Sequence, residues 1–231
     1  MPRRVQGTRE EVRTLRSAVA WSGGKDAALA LGETEHDVAA LLTTFGENGR
    51  SSMHGVRREL IEAQARAVGV PLIAAELPDE PSNDEYEAQM RDALDGLADE
   101  DIEAVVFGDI FLEDVRAYRE ETTPDGFETD FPLWGRDTDE LASEAAARYD
   151  AVTVCVDNSA LGREYVGRAL DADFLADLPE VTDPCGENGE FHTFVADAPF
   201  FDSRVEHKKG DVVERELGDT KYVYQDLVTE G

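Results

Sequence analysis

The chain has 231 residues, of which 41% are hydrophobic, so it can form one large domain or two small ones around an apolar core. It carries 52 Asp and Glu against 22 Lys and Arg, and this charge of −30 argues against DNA, RNA and anionic membranes as partners. With two cysteines and neither a Cys-x-x-Cys nor a His-Glu-x-x-His motif, a structural zinc site is not expected.

Acidic residues occur along the whole chain instead of in one tail. This pattern is typical of halophilic proteins, in which molar salt screens the self-repulsion, and a surface for a specific partner is the alternative. The scarcity of cysteine and the lack of an apolar stretch of about 18–20 residues indicate a cytoplasmic protein. Residues 1–17 contain arginines without an apolar segment, so we expect a flexible leader and not a secretory signal.

The first regular elements surround a glycine-rich turn. An apolar strand from residue 18 leads into Ser22-Gly23-Gly24-Lys25-Asp26, and an Ala/Leu-rich helix follows. Such a turn offers free backbone N–H groups and the positive end of a helix dipole to an anion. Ser22 adds a hydroxyl donor and Lys25 a charge, so the turn is predicted to bind phosphate or pyrophosphate. The Walker A and Rossmann spacings are absent, and a tight turn without a ligand is the alternative.

The rest of the first half alternates between strand and helix patterns. Its apolar runs predict strands, its amphipathic segments predict helices, and this order is typical of a parallel sheet with helices on both faces. The predicted strands are residues 37–45, 71–75 and 102–110, and the predicted helices are residues 56–68, 84–97 and 111–121. The strand over 102–110 contains Gly108 and Asp109, near the end where a ligand meets a parallel sheet.

The pattern changes at residues 122–134, where Pro124, Gly126 and Pro132 interrupt regular structure, and Phe131-Pro132-Leu133-Trp134 predicts a turn or a domain boundary. Beyond it, the patterns of the sequence predict both helices and strands. The predicted elements are helices at 138–149, 161–170 and 171–178, a strand at 151–156, a glycine-rich loop that leads into a strand within 183–195, and one or two strands within 204–228.

A second group of reactive side chains lies in residues 185–193. Glu187, Glu190, His192 and Thr193 accompany the thiol of Cys185 there. If the segment from 190 is extended, Glu190 and His192 lie on one face, where one could move a proton and the other orient a substrate. We therefore assign catalytic roles to Glu187, Glu190 and His192 together with Lys25. A polar hairpin edge is the alternative, and Cys185 is expected to be a spectator.

Acids and an imidazole near the predicted strand ends complete the candidate site. Asp26 and Asp109 could bind Mg²⁺ with the phosphates or contact ribose, although Asp26 could simply cap the helix. His54 either faces the nucleotide or lies on the surface. The predicted nucleotide-binding residues are Ser22, Gly23, Gly24, Lys25, Asp26, His54, Gly108 and Asp109.

Taken together, the motifs resemble the diphthine–ammonia ligase family of PP-loop ATP pyrophosphatases. The motifs are Ser22-Gly23-Gly24-Lys25-Asp26, Ser52-Met53-His54-Gly55, Gly108-Asp109-Ile110, Pro132-Leu133-Trp134 and Gly186-Glu187-Asn188-Gly189-Glu190-Phe191-His192-Thr193. The resemblance implies a Rossmann-like, adenine nucleotide α-hydrolase-like domain at 18–130 and a smaller α/β substrate domain at 131–231. It implies a ligase that uses ATP, Mg²⁺ and ammonia to amidate diphthine on elongation factor 2, releasing AMP and pyrophosphate.

Two residues depart from the pattern of that family. Ala27 replaces the last serine of the loop, and His192 replaces an acid, which changes the charge of the substrate pocket. The second departure leaves open a different small-molecule carboxylate as acceptor, and a nucleotide sensor without turnover is the alternative from another functional class. Nucleic acid and membranes are not expected as partners, and a homodimer remains open.

Overall fold

The computed structural model describes residues 13–52, 54–78, 82–98, 101–218 and 220–229. Most of the predicted leader and Met53 of the second motif lie outside these residues. None of the helices within the described ranges is long and apolar enough to cross a membrane.

The first half of the chain folds into a five-stranded parallel sheet in the order β3-β2-β1-β4-β5. Helices connect its strands, as the alternation of patterns predicts. The strands are β1 (Arg16–Ala20), β2 (Asp37–Gly46), β3 (Leu72–Leu77), β4 (Ala104–Val106) and β5 (Glu128–Asp130), and the helices are α1 (Lys25–Glu33), α2 (Arg58–Val68), α3 (Asn83–Ala98) and α4 (Glu113–Thr122).

The second half forms a four-stranded antiparallel sheet in the order β7-β6-β9-β8. Two helices and a short 3₁₀ turn (Arg163–Tyr165) accompany it. The elements are α5 (Thr138–Arg148), β6 (Asp150–Asp157), α6 (Ala172–Asp177), β7 (Phe191–Asp197), β8 (His207–Leu217) and β9 (Thr220–Thr229).

The predicted fold class is confirmed: a Rossmann-like parallel sheet is joined to a smaller sheet domain. One local prediction is wrong, since only the 3₁₀ turn forms where a helix is expected over residues 161–170. The turn expected at residues 131–134 is present, and the strand β5, which the sequence does not predict, lies just before it. β5 is acidic and only three residues long, so its pairing with β4, and not an apolar pattern, makes it a strand.

The strand order places a crevice between β1 and β4. From β1 the chain proceeds outward through β2 and β3, and it then returns to add β4 and β5 on the other side of β1. Ligands of open parallel sheets bind at such a reversal, beyond the carboxyl ends of the strands. The turn at residues 22–24 follows β1, and Gly108 and Asp109 follow β4, so the fold brings two of the predicted motifs to this crevice.

One hydrophobic core extends across both sheets. It includes Trp21 and Phe45 from the first half and Phe191 and Phe194 from β7, and all four side chains are at most 2% exposed. The antiparallel sheet is thereby held against the crevice, with β7 nearest to the glycine-rich turn.

Candidate functional site

The glycine-rich turn is shaped by the side chains beneath it. Gly23 has φ +83°, a conformation that favours glycine, and a Cβ there would lie 2.6 Å from Ile61 and 2.7 Å from Gln64. The Oγ of Ser22 accepts the Gly24 N–H at 3.2 Å. The turn is therefore closely packed from below, and its backbone path is fixed.

Gln64, on α2, joins the turn to the second sheet. Its Oε1 accepts the Trp21 indole N–H at 2.9 Å, and its Nε2 donates to the carbonyls of Gly23 at 3.0 Å and Val195 at 2.6 Å. The Val195 N–H also donates to the Gly23 carbonyl at 2.9 Å. These bonds cover the free edge of β7, which would otherwise present unpaired backbone groups. The fully buried Gln64 was not predicted, although a glutamine on the apolar face of a helix is a signal for such a role.

Thr193 supplies the cap that α1 lacks. The residue at the N-terminal boundary of α1 is Gly24, which has no side chain to accept a backbone N–H. The Oγ1 of Thr193, from β7, instead accepts the N–H of Lys25 at 3.0 Å. The antiparallel sheet thus contributes directly to the geometry of the glycine-rich turn.

The side chain of Lys25 points inward, toward the second half of the chain, and is 2% exposed. Its Nζ lies 2.9 Å from Asp26 Oδ2 and 5.1 Å from the ring centroid of Phe191, and it also donates to the carbonyl of Cys185. Burial opposes the charge, but Asp26, Cys185 and Glu187 outweigh it and raise the pKa of Lys25. Lys25 therefore stays charged and binds the turn to the loop at residues 183–190.

His54 and His192 form a stacked pair beside the turn. Their ring centroids are 4.5 Å apart, with 25° between the planes. His54 Nδ1 lies 3.1 Å from the carbonyl of Thr193, and since a carbonyl only accepts, this nitrogen carries the proton. Burial lowers the pKa of His54 to about 4 and the pKa of His192 well below its ordinary value. Two neutral imidazoles therefore lie beside the glycine-rich turn at neutral pH.

Three carboxylates from distant parts of the sequence converge on the crevice. Glu187 Oε1 accepts the N–H of Ile110 at 2.8 Å, which joins the two predicted motifs. Burial raises the pKa of Glu187 to about 7; the Ile110 hydrogen bond opposes this rise, and Asp26 and Asp109 add to it. Burial likewise raises the pKa of Asp109, against the attraction of Arg119. This cluster favours a ligand that brings positive charge or hydrogen-bond donors.

Gly108 allows the two strand ends to approach one another. A Cβ at this position would lie 2.9 Å from the carbonyl carbon and oxygen of Asp26 and 3.1 Å from the nitrogen of Ala27. These are backbone atoms of α1 that cannot rotate away. The glycine is therefore a packing requirement of the site, and it brings Asp109 next to the first turn of α1.

Glu190 and Cys185 occupy the loop that closes the crevice. Glu190 is 7% exposed, and its Oε1 accepts the N–H of Asp183 at 3.0 Å and the side-chain amide of Asn188 at 3.1 Å. The Glu190 carboxylate is therefore directed at this loop, and the His192 ring faces His54. The sequence predicts instead that Glu190 and His192 lie on one face of an extended segment. The Cys185 thiol donates to the Thr138 carbonyl at 3.4 Å, and burial raises its pKa to about 12, so it is poorly suited to be a nucleophile.

Unpartnered buried atoms concentrate in this crevice. Buried polar atoms in proteins almost always have a hydrogen-bond partner, so each exception marks a place where water or a ligand belongs. Among the described residues, five buried side-chain atoms have no hydrogen-bond partner, and four of these atoms belong to residues around the crevice. The four are Asp26 Oδ1, Arg119 Nε, Glu190 Oε2 and His192 Nε2. Since two are carboxylate oxygens and one is a guanidinium N–H, the expected ligand both donates and accepts.

Within the described ranges, no group of three or more His, Cys, Asp or Glu side chains is arranged to bind a metal ion. Mg²⁺, however, commonly uses only one or two carboxylates together with the phosphates of a nucleotide. Asp26, with its unpartnered Oδ1, and the neighbouring Asp109 fit that requirement.

Comparisons with known proteins agree on one family. Residues 15–123 match the family model of the diphthamide synthase N-terminal domain, and residues 137–223 match that of the diphthamide synthase C-terminal domain. A diphthine--ammonia ligase of Schizosaccharomyces pombe is 26% identical over 227 residues, which cover 87% of this chain. The match covers only 38% of that relative, which is therefore a much longer protein.

Proposed function

Because the chain belongs to the diphthamide synthase family, we propose that it is an ATP-dependent ligase that converts diphthine to diphthamide on elongation factor 2. The named relative supports the reaction class, since it is a diphthine--ammonia ligase. The observation that carries the proposal is the cluster of unpartnered polar atoms where the two halves of the chain meet. ATP, ammonia and a carboxylate acceptor together would supply the missing donors and acceptors.

The first half of the site is suited to hold the phosphates of ATP. The N-terminus of α1 directs its dipole at the crevice, and Ser22 and the glycines leave the backbone open to an anion. Arg119, whose Nε has no hydrogen-bond partner and lies 3.9 Å from Asp109 Oδ2, adds a positive charge beside Asp109. Lys25 acts indirectly, because its buried ammonium neutralises Asp26 and holds the loop at residues 183–190 in place.

The reaction that we propose has two displacements. The acceptor carboxylate attacks the α-phosphorus of ATP, so that an acyl-adenylate forms and pyrophosphate leaves. Ammonia then attacks the acyl carbon, AMP leaves with the electron pair of the broken C–O bond, and the nitrogen loses a proton. Adenylation replaces a poor leaving group with a good one, and the protein contributes chiefly positioning and charge neutralisation.

The second half of the site is suited to hold ammonia. Glu190 Oε2 is a carboxylate oxygen without a partner and can accept an N–H of the nucleophile, and His192 Nε2, a ring nitrogen, is a second atom there without a partner. Glu187, whose pKa of about 7 lies near neutrality, is suited to receive the proton that the nitrogen releases. Bound Mg²⁺, held by Asp26 and Asp109 together with the phosphates, would neutralise charge on the pyrophosphate.

The decisive experiment is release of AMP and pyrophosphate in molar KCl from ATP, ammonium and elongation factor 2 that carries diphthine. We expect Glu190→Gln to retain ATP binding and to lose most of the turnover, while the exposed Glu180→Gln serves as the matched control. If ATP binds but neither product forms with any acceptor, the protein is a nucleotide sensor.

The acceptor requires a separate test, because His192 replaces an acid of the family pattern and leaves a small-molecule carboxylate as the second candidate. Deletion of the gene should leave elongation factor 2 with diphthine in place of diphthamide. Unchanged diphthamide by mass spectrometry would rule out this acceptor and direct the search to small carboxylates.

A further inference from the structure

One carboxylate on the last strand binds both ends of the hairpin that carries His54. This His54 hairpin begins at Arg50 and ends at Arg57, and these two residues pair in an antiparallel bridge. Asp226, on β9, accepts from Arg57 Nε at 3.1 Å and from Arg57 Nη2 at 2.7 Å, so the two side chains form a two-point contact. The same carboxylate accepts from Arg50 Nη1 at 2.8 Å. Asp226 therefore connects the antiparallel sheet to both ends of the His54 hairpin.

This contact differs from an ordinary surface ion pair, which contributes little to stability. The Asp226 side chain is 14% exposed and the Arg50 side chain 20%, so salt screens their charges less than those on the open surface. Burial opposes the charge of Asp226, but the hydrogen bonds from Arg57 and Arg50 outweigh it and lower the pKa of Asp226 to about 2. The carboxylate therefore stays charged at neutral pH, and without it two guanidinium groups would face each other there.

The contact with Asp226 extends along the hairpin to the residue beside His54. Arg50 Nη1 also donates to the carbonyl of Gly55 at 2.8 Å. Gly55 has φ +67°, and a Cβ there would lie 2.9 Å from the ring of Tyr224 on β9, so the hairpin lies directly against the sheet at this residue. Because Gly55 immediately follows His54, its fixed backbone also fixes the position of the imidazole.

The His54 ring in turn packs against the glycine-rich turn. A Cβ at Gly24 would lie 2.7 Å from His54 Cε1, so the ring closely approaches the backbone of the turn. His54 Nδ1 also donates to the carbonyl of Thr193, whose hydroxyl caps α1. A path of direct contacts through Arg50 and the hairpin therefore leads from Asp226 to the turn.

We propose that Asp226 is a positioning residue of the nucleotide site, which holds the His54 hairpin against the antiparallel sheet so that the His54 ring supports the glycine-rich turn in the shape that binds phosphate. A site that is competent for only part of the time binds its ligand more weakly, in proportion to that fraction. Loss of the Asp226 charge should therefore weaken ATP binding, while the residues that contact the reacting atoms stay in place. The effect on ATP rests on the proposed function, whereas the hold on His54 does not.

The first measurement is nitrogen-correlated proton NMR of the full chain in molar KCl. The His54 Nδ1–H that donates to Thr193 should give an imidazole N–H signal, which is assigned by its loss in His54→Gln. We expect Asp226→Asn to broaden or abolish this signal and Asp226→Glu, which keeps the charge, to restore it. The indole N–H of Trp21, which donates to Gln64, should keep its position in every Asp226 variant and reports that the core is intact.

The second measurement is calorimetric titration with ATP, together with the kinetics of AMP release. In Asp226→Asn the affinity for ATP should fall about tenfold, as for a hairpin closed about a tenth of the time, while kcat at saturating ATP changes less than about twofold. Arg57→Lys keeps the charge but not the two-point contact, so as a second, milder variant it should lose about threefold in affinity. The matched control is Arg163→Gln, which breaks the exposed ion pair with Glu214 on the neighbouring strand β8 and should change neither measurement.

An unchanged His54 signal in Asp226→Asn would overturn the inference. So would loss of that signal with the ATP affinity of the wild type, or an equal loss of the signal in Arg163→Gln. If the wild type binds ATP without releasing AMP, only the proposed function fails, and if AMP is released and Asp226→Asn keeps the KM of the wild type, only this inference fails. If the wild type binds no ATP, the proposed function fails and the His54 signal alone decides whether Asp226 holds the hairpin.

Discussion

Two threonines that face each other across β6 and β7 should respond in opposite directions to the same substitution. Thr153 and Thr193 are direct partners in the strand register, and both are at most 1% exposed. The hydroxyl of Thr193 accepts the Lys25 N–H, while Thr153 Oγ1 is the fifth unpartnered buried atom of the described residues. Valine replaces threonine with almost the same shape, so the two variants isolate the hydroxyl.

The magnitudes follow from these partners. Thr193→Val leaves the Lys25 N–H buried without an acceptor, which costs about 1–3 kcal/mol, and the loss of a helix cap costs about 1 kcal/mol by itself. We therefore expect the free energy of unfolding to fall by about 2 kcal/mol and Tm to fall by about 4–8 °C. Thr153→Val exchanges an unsatisfied hydroxyl for a methyl group and should raise the free energy of unfolding by about 1 kcal/mol.

Urea unfolding in fixed molar KCl, followed by fluorescence and circular dichroism, measures both changes. Calorimetric titration with ATP then tests the link to the site, because a first turn without its cap should bind the phosphates several-fold more weakly. Equal destabilisation by the two valines would refute the assignment of the cap to Thr193. Unchanged ATP affinity of Thr193→Val would separate the cap from nucleotide binding.

Three further predictions concern the packing, pH and salt. Gly108→Ala should abolish ATP binding, because its Cβ would meet backbone atoms of α1 at 2.9 Å. Gly96→Ala, whose Cβ would have nothing within 4 Å, should leave ATP binding unchanged. Calorimetric titration with ATP compares the two variants. Acidification from pH 7 to 5 should lower the free energy of unfolding by up to about 2 kcal/mol through His54. The ring of His54 gains a proton near pH 6.5 in the unfolded chain but only near pH 4 in the folded protein, so the unfolded state binds more protons in this range. Urea titrations should show a smaller loss of stability in His54→Gln. Thermal unfolding should show a rise in Tm between 0.1 and 2 M KCl, since salt screens the charge of −30, and a flat profile would contradict the halophilic interpretation.

Motifs at strand ends could be located from the sequence because their position follows from simple rules. Parallel strands end at a common edge, so an apolar strand before Gly23 and another before Gly108 predict that the two motifs lie close together. The loop that carries Glu187 was predicted as a second part of the site from its density of reactive groups. Its contact with Ile110 could not be predicted, since it depends on how two separate sheets pack.

Features that depend on tertiary contacts were harder to predict from the sequence. A lysine in a glycine-rich turn is expected to reach phosphate, but a carbonyl 160 residues away draws Lys25 inward. The sequence of β5 has no apolar pattern, and only its pairing with β4 makes it a strand. Gln64 lies in no motif, and only its position on the apolar stripe between Ile61 and Ala65 indicates a buried polar role.

The cap that Thr193 gives to α1 also has a consequence for the order in which the protein matures during synthesis. The two residues are separated by 168 positions, so the ribosome completes the entire parallel sheet before the acceptor for the Lys25 N–H exists. Contacts of such long sequence separation form late in folding. The glycine-rich turn therefore acquires its final shape only when the last part of the chain has joined it, and a nascent chain that lacks β7 has this turn without the cap of α1.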